Sequence, residues 1–436
     1  MNRRRFNYLL SLMGASPLPI MLNQLSVKIS EPPSLESSID NSNVLVLIQL
    51  KGGNDGLNTF VPINQYDKYA SLRPTIRINE KKLIHLDKTL SLQQQLGLHP
   101  NLDSLKYHYE NGRMSIVQSV SYPNTNLSHF KSSDLWMTGG DGNPDAKQPK
   151  KGWIGKFMEC AYPDKLVSSK DFQDPLAIQL GNPNTSLLFQ IDEHHECNVN
   201  LSGQNPGGYY NSIVNVGGKA PEKFDDSFFG SQMRYISGVQ NTTNVYAKRI
   251  SEVFDKGKNT LDYPDTNLSN QLKTVARLLS GGSQTKVFLV QLPKFDTHRN
   301  QILAGNSLEG VHAELLKELS DSVNVFLKDI KKLGIGDKVL AMTFSEFGRK
   351  AKENGDFGTD HGSMAPMMLF GNKVNGGVFG ENELLNQLDE NGLLTKMQYD
   401  YRQIYSSVLK NWLGANNEIL DQLNLTTHLK NAPKVL

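Results

Sequence analysis

Two short stretches of this chain each combine a carboxylate with an imidazole: Asp296 with His298, and Asp360 with His361. A third acidic position, Asp55, lies in a glycine-rich loop that follows a strongly apolar run near the amino terminus. Carboxylate oxygens and neutral imidazole nitrogens together suit borderline divalent ions such as zinc or manganese. Three such loops from distant segments predict one metal-centred active site at the edge of an α/β sheet.

Each of these positions also has a purely structural interpretation. Asp55 stands in an Asn-Asp-Gly sequence, which is common in turns where the Asp side chain bonds its own backbone. Asp296 and His298 lie two residues apart, so in an extended backbone both could point toward one ion. Equally, Asp296 could cap a helix and His298 could simply be exposed. Asp360 and His361 fit ordinary structure least, because adjacent residues in a tight loop between glycines can ligate one ion or bridge two.

Glu346 and Arg349 follow another apolar run, Val339–Phe344, which is predicted to be a strand. Glu346 is a further candidate metal ligand and Arg349 is a candidate catalytic residue, while a structural ion pair between them is the alternative. Together the carboxylates and imidazoles could hold two metal ions, which clamp the attacking and leaving oxygens of an in-line displacement. Such a displacement also needs a nucleophile.

Two hydroxyl side chains are candidates for that nucleophile. Ser128 lies at the amino end of a predicted helix, where the helix dipole and free N–H groups favour a developing anion. Thr125 is its competitor, and capping of the helix is the structural alternative for Ser128. His129 could orient the substrate or donate a proton, or it could only satisfy a buried hydrogen bond.

The elements that must position these residues alternate between strands and helices. Strands are predicted at 44–50, 114–120, 286–292 and 339–344, and helices at 128–137, 272–279 and 315–333. Continuous runs of aliphatic and β-branched residues, without alternating polar residues, are typical of strands buried on both faces of a parallel sheet. The pattern predicts an open α/β sheet with ligands outside the carboxyl ends of its strands. The region at about 140–265, rich in Asn, Gly, Pro and Asp, is predicted to hold insertions that form a rim or cap over the site.

The amino-terminal segment is predicted to be an export signal outside the fold. Arg3-Arg4-x-Phe6 precedes a short, weakly apolar run, and this arrangement resembles the type of signal read by the twin-arginine translocase. A basic amphipathic helix is the alternative. The apolar run is shorter than the ~20 residues of a membrane span, so no transmembrane anchor is expected. We expect a signal segment at 1–30, a linker at 31–42 and a single domain at 43–436, in a soluble protein that is periplasmic or secreted.

Charge balance and cysteine content exclude several classes of protein. The 436 residues contain 46 basic and 44 acidic side chains, a formal net charge of +2, so nothing implies a nucleic-acid partner. Cys160 and Cys197 make neither a disulfide framework nor a zinc motif, and they could pair or remain buried thiols. The stretch DEHHEC at 192–197 is a separate candidate metal cluster, for which an exposed charged turn is the preferred interpretation.

Several long motifs occur in one order along the chain. They are KGGNDGLNTFVP at 51–62, LGLHP at 96–100, LSHF at 127–130, FDTHRNQ at 295–301, MTFSEFGR at 342–349, GTDHGSMAPMMLFG at 358–371 and DYRQIYSSVLKNWLG at 400–414. Together with the paired arginines they closely resemble the exported bacterial family catalogued as domain of unknown function 1501. That family is similar to a distant, sulfatase-like branch of the alkaline phosphatase superfamily. The middle region carries little of the resemblance.

The resemblance implies a three-layer α/β/α sandwich with a mostly parallel central sheet and a two-metal site that hydrolyses phosphate or sulfate esters. Asp55 would ligate the metal nearer the nucleophile, and Asp296 and His298 would ligate the other. Zinc is the expected ion, with manganese, magnesium or calcium as alternatives.

For the remaining acidic ligand the chain offers two candidates. Asp360 resembles the acidic member of the superfamily's Asp-His-Gly loop, whereas Glu346 ends a strand where an acidic ligand is expected. His361 resembles either the histidine of that loop or the last metal-binding histidine of the superfamily, which precedes a Pro-containing apolar strand.

The chain also departs from the superfamily pattern. The sulfatase signature, a modifiable Cys or Ser followed by x-Pro-x-Arg, is absent, so a formylglycine sulfatase is not expected. The Asp-Thr-His spacing at 296–298 is shorter than the Asp-x-x-x-His of many superfamily phosphatases. Thr125-x-x-Ser128-His129 resembles the nucleotide pyrophosphatase pattern with Thr first, whereas Ser128 has the better helix position.

Two function classes follow. One is an exported metal-dependent hydrolase of small-molecule or glycan esters of phosphate or sulfate, with a Ser or Thr nucleophile. The other is a non-catalytic periplasmic or surface protein that binds a glycan or protein partner on a retained scaffold. The number of ligand-type residues favours the enzyme, because a pure scaffold has no chemical need to carry them.

Overall fold

The computed structural model describes residues 41–147, 149–166, 172–184, 186–191, 196–204, 206–208 and 244–436. The strands in this part of the chain are β1 (Val44–Leu50), β2 (Phe60–Pro62), β3 (Ile84–His85), β4 (Leu96–Leu98), β5 (Met114–Ser121), β6 (Ala177–Gln179), β7 (Asn198–Asn200), β8 (Val287–Leu292), β9 (Val339–Phe344), β10 (Gly348–Arg349), β11 (His361–Gly362), β12 (Ala365–Phe370), β13 (Gly377–Phe379) and β14 (Tyr399–Asp400). The four strands expected from apolar runs are all present, with ends that differ from the prediction by at most one residue.

A nine-stranded central sheet organises the molecule. Its strand order is β13-β5-β12-β9-β1-β8-β6-β7, and β14 pairs with β5. Strand β12 is antiparallel to β5 and β9, and the other strand pairs of this sheet are parallel. The predicted, mostly parallel α/β sheet is therefore confirmed.

The helices of the described residues are α1 (Gly56–Thr59), α2 (Tyr66–Leu72), α3 (Asp103–Glu110), α4 (His129–Thr138), α5 (Trp153–Ala161), α6 (244–256), α7 (Asn267–Ser280), α8 (Val311–Lys332), α9 (Tyr401–Ser407), α10 (Asn417–Gln422) and α11 (Thr426–Leu429), with a π-helical turn at Val408–Trp412. The three predicted helices correspond to α4, α7 and α8. The last two begin earlier than predicted because their first turns contain polar residues that the apolar spacing does not mark.

Helices cover both faces of the central sheet. Alternate residues of β1 point to opposite faces, and all seven are buried. Val46 packs in one hydrophobic core with Leu272 and Leu319, from α7 and α8. Leu47 packs in a second core with Trp136 and other residues of α4, α5 and α9. Two cores separated by one sheet make a three-layer α/β/α sandwich, as the resemblance implied.

The direction of the strands brings the loops with the candidate site residues to one edge of the central sheet. Strands β1, β8, β9 and β5 run the same way, and the loops that follow them carry Asp55, Asp296, Glu346 and His129. The loop with His361 precedes β12, the Pro-containing apolar strand that the resemblance placed after it, and β12 is antiparallel to its neighbours β5 and β9. Since β12 runs in the opposite direction, its amino end lies at the same edge.

Part of the region predicted to form a rim belongs to the core of the sandwich. Strands β6 and β7 extend the central sheet beyond β8, in register with Val287–Leu289. Residues 209–243 of this region lie outside the described part of the chain, as does the predicted signal at 1–30. No helix in the described ranges is long and apolar enough to span a membrane.

Candidate metal centre

Three side chains from three separate segments form a group with ligand-type atoms. His129, Asp296 and His361 each offer one such atom, and these atoms lie within 4.8 Å of one another. His129 is the first residue of α4, Asp296 follows β8, and His361 begins β11. Arg349 pairs with His361 in the β10–β11 ladder and fixes its backbone beside the group.

His361 is held in the orientation that a metal-binding imidazole needs. Its Nδ1 lies 2.7 Å from the carbonyl oxygen of Leu127, so Nδ1–H donates and the lone pair is on Nε2. Nε2 is buried without a hydrogen-bond partner among the described residues and lies 3.5 Å from Asp296 Oδ1. Burial lowers the pKa of His361, which favours the neutral form that ligates metals.

His129 is oriented by a buried carboxylate. Its Nδ1 lies 2.9 Å from Glu346 Oε1, and its Nε2 lies 3.4 Å from Asp296 Oδ2 without a hydrogen-bond partner in the described structure. The hydrogen bond to Glu346 raises the pKa of His129, against the effect of burial. A carboxylate behind an imidazole fixes the ring and makes its free nitrogen a better ligand.

Glu346 is itself fixed by the loop after β1. Its Oε1 accepts the backbone N–H of Gly52 at 2.8 Å. Gly52 has φ +126, and a Cβ there would stand 2.3 Å from the backbone nitrogen of Asp296. Glycine is therefore required where the loops after β1 and β8 approach each other. In this arrangement Glu346 supports His129, and its Oε2 is buried without a hydrogen-bond partner among the described residues.

Asp296 supplies the negative charge of the group. Its Oδ1 lies 2.7 Å from His298 Nδ1 and 2.8 Å from Arg349 Nη2, while its Oδ2 faces His129. Partial burial would raise the pKa of this carboxyl, but the hydrogen bond and charge of Arg349 lower the pKa of Asp296 to about 2. The side chain is 47% exposed, so the group is open to solvent on this side.

The residues present fit a divalent ion. Two imidazole Nε2 atoms and a carboxylate oxygen converge, and both imidazole nitrogens are buried polar atoms that lack a hydrogen-bond partner among the described residues. Buried polar atoms are normally paired, so an unpaired set that converges on one point indicates a missing partner. Nitrogen and oxygen ligands of this kind suit zinc or manganese.

Arg349 lies beneath the group with its donors directed at protein acceptors. Nε donates to Gly53 O at 2.8 Å, Nη1 to Thr359 O at 2.9 Å and Nη2 to Phe295 O at 3.0 Å. Its side chain is 0% exposed. Arg349 thus ties together the loops that follow β1 and β8 and precede β12, and its predicted part in catalysis would be exerted through Asp296.

His298 and Asp360 lie beside the group. The ring of His298 is 4.5 Å from that of His361, and its Nδ1 bonds Asp296. Asp360 is half-exposed, with Oδ2 3.6 Å from Lys350 Nζ and Oδ1 3.3 Å from Asn354 Nδ2. The structure therefore brings His298 to the rim of the group and directs Asp360 toward basic and amide partners.

Asp55 has a different environment from the one predicted for a metal ligand. It is fully buried, and its Oδ2 accepts from Arg73 Nη1 at 2.7 Å and from Gln301 Nε2 at 2.5 Å. Burial would raise the pKa of Asp55, but the charge of Arg73 lowers it below its usual range. Sequence reasoning missed Arg73, which lies outside the recognised motifs, whereas Gln301 ends one of them.

The two candidate nucleophiles differ in how their hydroxyls are engaged. Ser128 is exposed at the N-cap position of α4, and its hydroxyl caps none of the N–H groups of that described helix. Thr125 is half-buried, and its Oγ1 donates to Tyr122 O at 2.9 Å and lies 3.2 Å from Ser121 Oγ. The expected alternative of helix capping by Ser128 is thus not realised, and Ser128 has the freer hydroxyl.

The remaining sequence candidates are the two cysteines and the DEHHEC stretch at 192–197. Cys160 is half-buried and Cys197 is buried, and both are free thiols. Residues 192–195, which hold most of the second candidate metal cluster, lie outside the described residues.

Comparison with known families supports the resemblance over part of the chain. The family model described as "Protein of unknown function (DUF1501)" matches residues 248–404. The matched segment contains Asp296, Arg349 and His361 but not Asp55 or His129. No curated protein sequence matches this chain.

The solved structures that match this chain share little sequence with it. One is a protein in the alkaline phosphatase superfamily from Vibrio parahaemolyticus, with 11% identity, a TM-score of 0.34 and coverage of 88% of this chain and 72% of that chain. Another is the C-terminal periplasmic domain of EcEptC from Escherichia coli in complex with Zn, with 11% identity, a TM-score of 0.33 and coverage of 76% and 74%. A third is a phosphonate monoester hydrolase from Silicibacter pomeroyi, with 10% identity, a TM-score of 0.30 and coverage of 78% and 70%.

Proposed function

We propose that this chain is an exported, metal-dependent hydrolase of phosphate or sulfate esters. The observation that carries the proposal is the convergence of His129, Asp296 and His361, whose ligand atoms lie within 4.8 Å of one another, with each imidazole fixed through its Nδ1. A pure binding scaffold has no need for two oriented imidazoles and an ionised carboxylate at one open edge. Divalent cations are the expected cofactor, with zinc or manganese favoured by the ligand types.

The chain's own residues divide the work of ester hydrolysis among them. A divalent ion, when bound, would stabilise the charge that develops on the ester oxygens. Ser128 supplies the nucleophile: its hydroxyl is exposed next to His129, and the amino end of α4 favours an anion. Arg349 keeps Asp296 ionised, and Glu346 keeps the His129 ring in place.

The test combines metal analysis with a screen of substrates. The purified protein, equilibrated with zinc or manganese and desalted, is assayed for bound metal and for turnover of aryl phosphate, phosphodiester and sulfate esters. We expect His361→Ala to lose metal and to lose turnover by about 100-fold or more, since even residues that only support a ligand affect metal sites by 10- to 100-fold. His85→Ala, which alters a histidine of the small sheet β2-β4-β3, should retain both.

Two results would contradict the proposal. Full metal content and turnover in His361→Ala would show that the ion binds elsewhere. Stable metal binding without turnover of any ester class would favour the alternative, a binding protein for a glycan or protein partner.

We also propose that the chain is exported in a folded state through the twin-arginine route. The support is the Arg3-Arg4-x-Phe6 sequence and the advantage to a metalloenzyme of acquiring its ion before it meets competing metals outside the cytoplasm. Replacement of Arg3 and Arg4 by Lys should leave the protein in the cytoplasm when cells are fractionated. Unchanged arrival in the periplasm would contradict this route without affecting the proposed chemistry.

A further inference from the structure

The position of Asp55 bears on how many ions the centre holds. The resemblance implies that Asp55 ligates one of two metal ions. In the structure, the guanidinium of Arg73 is already bound to this carboxylate. Arg73 Nη1 lies 2.7 Å from Asp55 Oδ2, and both side chains are 0% exposed. An arginine keeps its charge at every physiological pH, so this is a permanent buried ion pair.

Arg73 is held in place independently of Asp55. Nη1 also donates to Asn58 Oδ1 at 2.7 Å, Nη2 to Lys350 O at 2.9 Å and Nε to Ala351 O at 2.9 Å. The guanidinium therefore bridges the segment around α1 to the residues that follow β10. An ion at Asp55 Oδ2 would have to displace this group and leave a buried, unpaired positive charge, which is strongly unfavourable.

Asp55 is nevertheless connected to the centre. Gln301 donates to Asp55 Oδ2, and its Oε1 accepts from Thr297 Oγ1 at 3.1 Å and from Thr359 Oγ1 at 2.8 Å. Thr297 and Thr359 adjoin the loops that carry Asp296 and His361. Arg73 is thus connected, through Asp55 and Gln301, to the loops that hold the metal centre.

Asp360, one of the two candidates for the remaining acidic ligand, is also engaged. Asp360 Oδ2 lies 3.6 Å from Lys350 Nζ. The backbone carbonyl of the same lysine accepts a hydrogen bond from Arg73 Nη2. Over the described ranges, the group of three ligand-type residues is formed by His129, Asp296 and His361, and Asp55 is not a member. Asp55 Oδ1 is buried without a hydrogen-bond partner in that part of the chain, but a single carboxylate oxygen is too few ligands for an ion.

We infer that the centre binds a single divalent ion at His129, Asp296 and His361, and that Arg73 fills the position of a second cation beside Asp55. This inference rests on the proposed function. It assigns Arg73 a positioning role, as a fixed charge that stabilises the loops of the centre. The site therefore differs from the two-metal arrangement implied by the resemblance.

The experiment counts ions per chain and needs no substrate. Wild-type protein is dialysed against excess zinc or manganese, freed of unbound metal, and analysed for metal per chain by mass spectrometry. Asp55→Asn removes the carboxylate charge, and the double variant Asp55→Asn/Arg73→Met removes both members of the ion pair. His361→Ala is the matched ligand variant, and circular dichroism confirms that each protein is folded.

We expect one ion per chain in the wild type, one in whichever Asp55 variants fold, and none in His361→Ala. Two ions in the wild type, with one lost in Asp55→Asn, would overturn this inference and leave the proposed hydrolase standing. A wild type that binds no ion would overturn the proposed function together with this inference.

Discussion

At the scale of single residues, what distinguishes the two proposed metal-binding imidazoles is the partner on the other ring nitrogen. His361 donates to the carbonyl of Leu127, and His129 is paired with Glu346. His361, His129 and Glu346 are all site candidates in the sequence, where His129 is expected to orient the substrate or donate a proton and Glu346 to ligate a metal directly. Nothing in the spacing of 129 and 346 reveals that the two side chains meet, because they come from loops on different strands.

Single substitutions can also decide whether Ser128 or Thr125 is the nucleophile. We expect Ser128→Ala to bind metal normally and to lose turnover by about 1,000-fold or more, as removal of a positioned nucleophile does. The measurement is single-turnover hydrolysis beside metal content. Thr125→Ala is the matched control, since its hydroxyl is already engaged with the backbone of Tyr122.

The opposite pattern would reassign the roles of these two hydroxyls. Loss of turnover in Thr125→Ala with full activity in Ser128→Ala would make Thr125 the nucleophile. Full activity in both variants would leave water as the attacking group.

At the scale of elements, apolar runs predicted the strands well. The run at Val44–Leu50 has no alternation, and β1 is buried on both faces between β8 and β9. Such runs indicate burial but not direction, which is why the antiparallel orientation of β12 could not be predicted. Strands β6 and β7 have only three residues each, too few to stand out in a region rich in Asn and Gly.

The hydrogen bonds that hold the site loops in place could not be predicted from the sequence as the loops themselves could. Arg349 was recognised as a neighbour of Glu346, but its bonds to the carbonyls of Gly53, Phe295 and Thr359 depend on how three loops pack. The pairing of Asp55 with Arg73 joins residues 18 positions apart through a buried contact. Ion pairs that form only when distant segments pack together have no characteristic spacing in the sequence.

At the scale of the whole molecule, the sandwich explains why residues spread across the sequence can share one site. Two cores fix the central sheet between helical layers, and strands that run the same way end at one edge. The antiparallel strand β12 brings its amino end to that edge and adds His361 to it. The fold class followed from strand–helix alternation, whereas the membership of the metal group required the three-dimensional arrangement of the loops.

The proposed chemistry depends on one divalent ion held by His129, Asp296 and His361. The most direct measurement is an anomalous difference map from crystals grown with zinc or manganese and recorded at the absorption edge of the metal. We expect one peak per chain at about 2 Å from the Nε2 atoms of both histidines and from a carboxylate oxygen of Asp296. A peak at Asp55 or Asp360, or no peak at the three residues, would contradict the account.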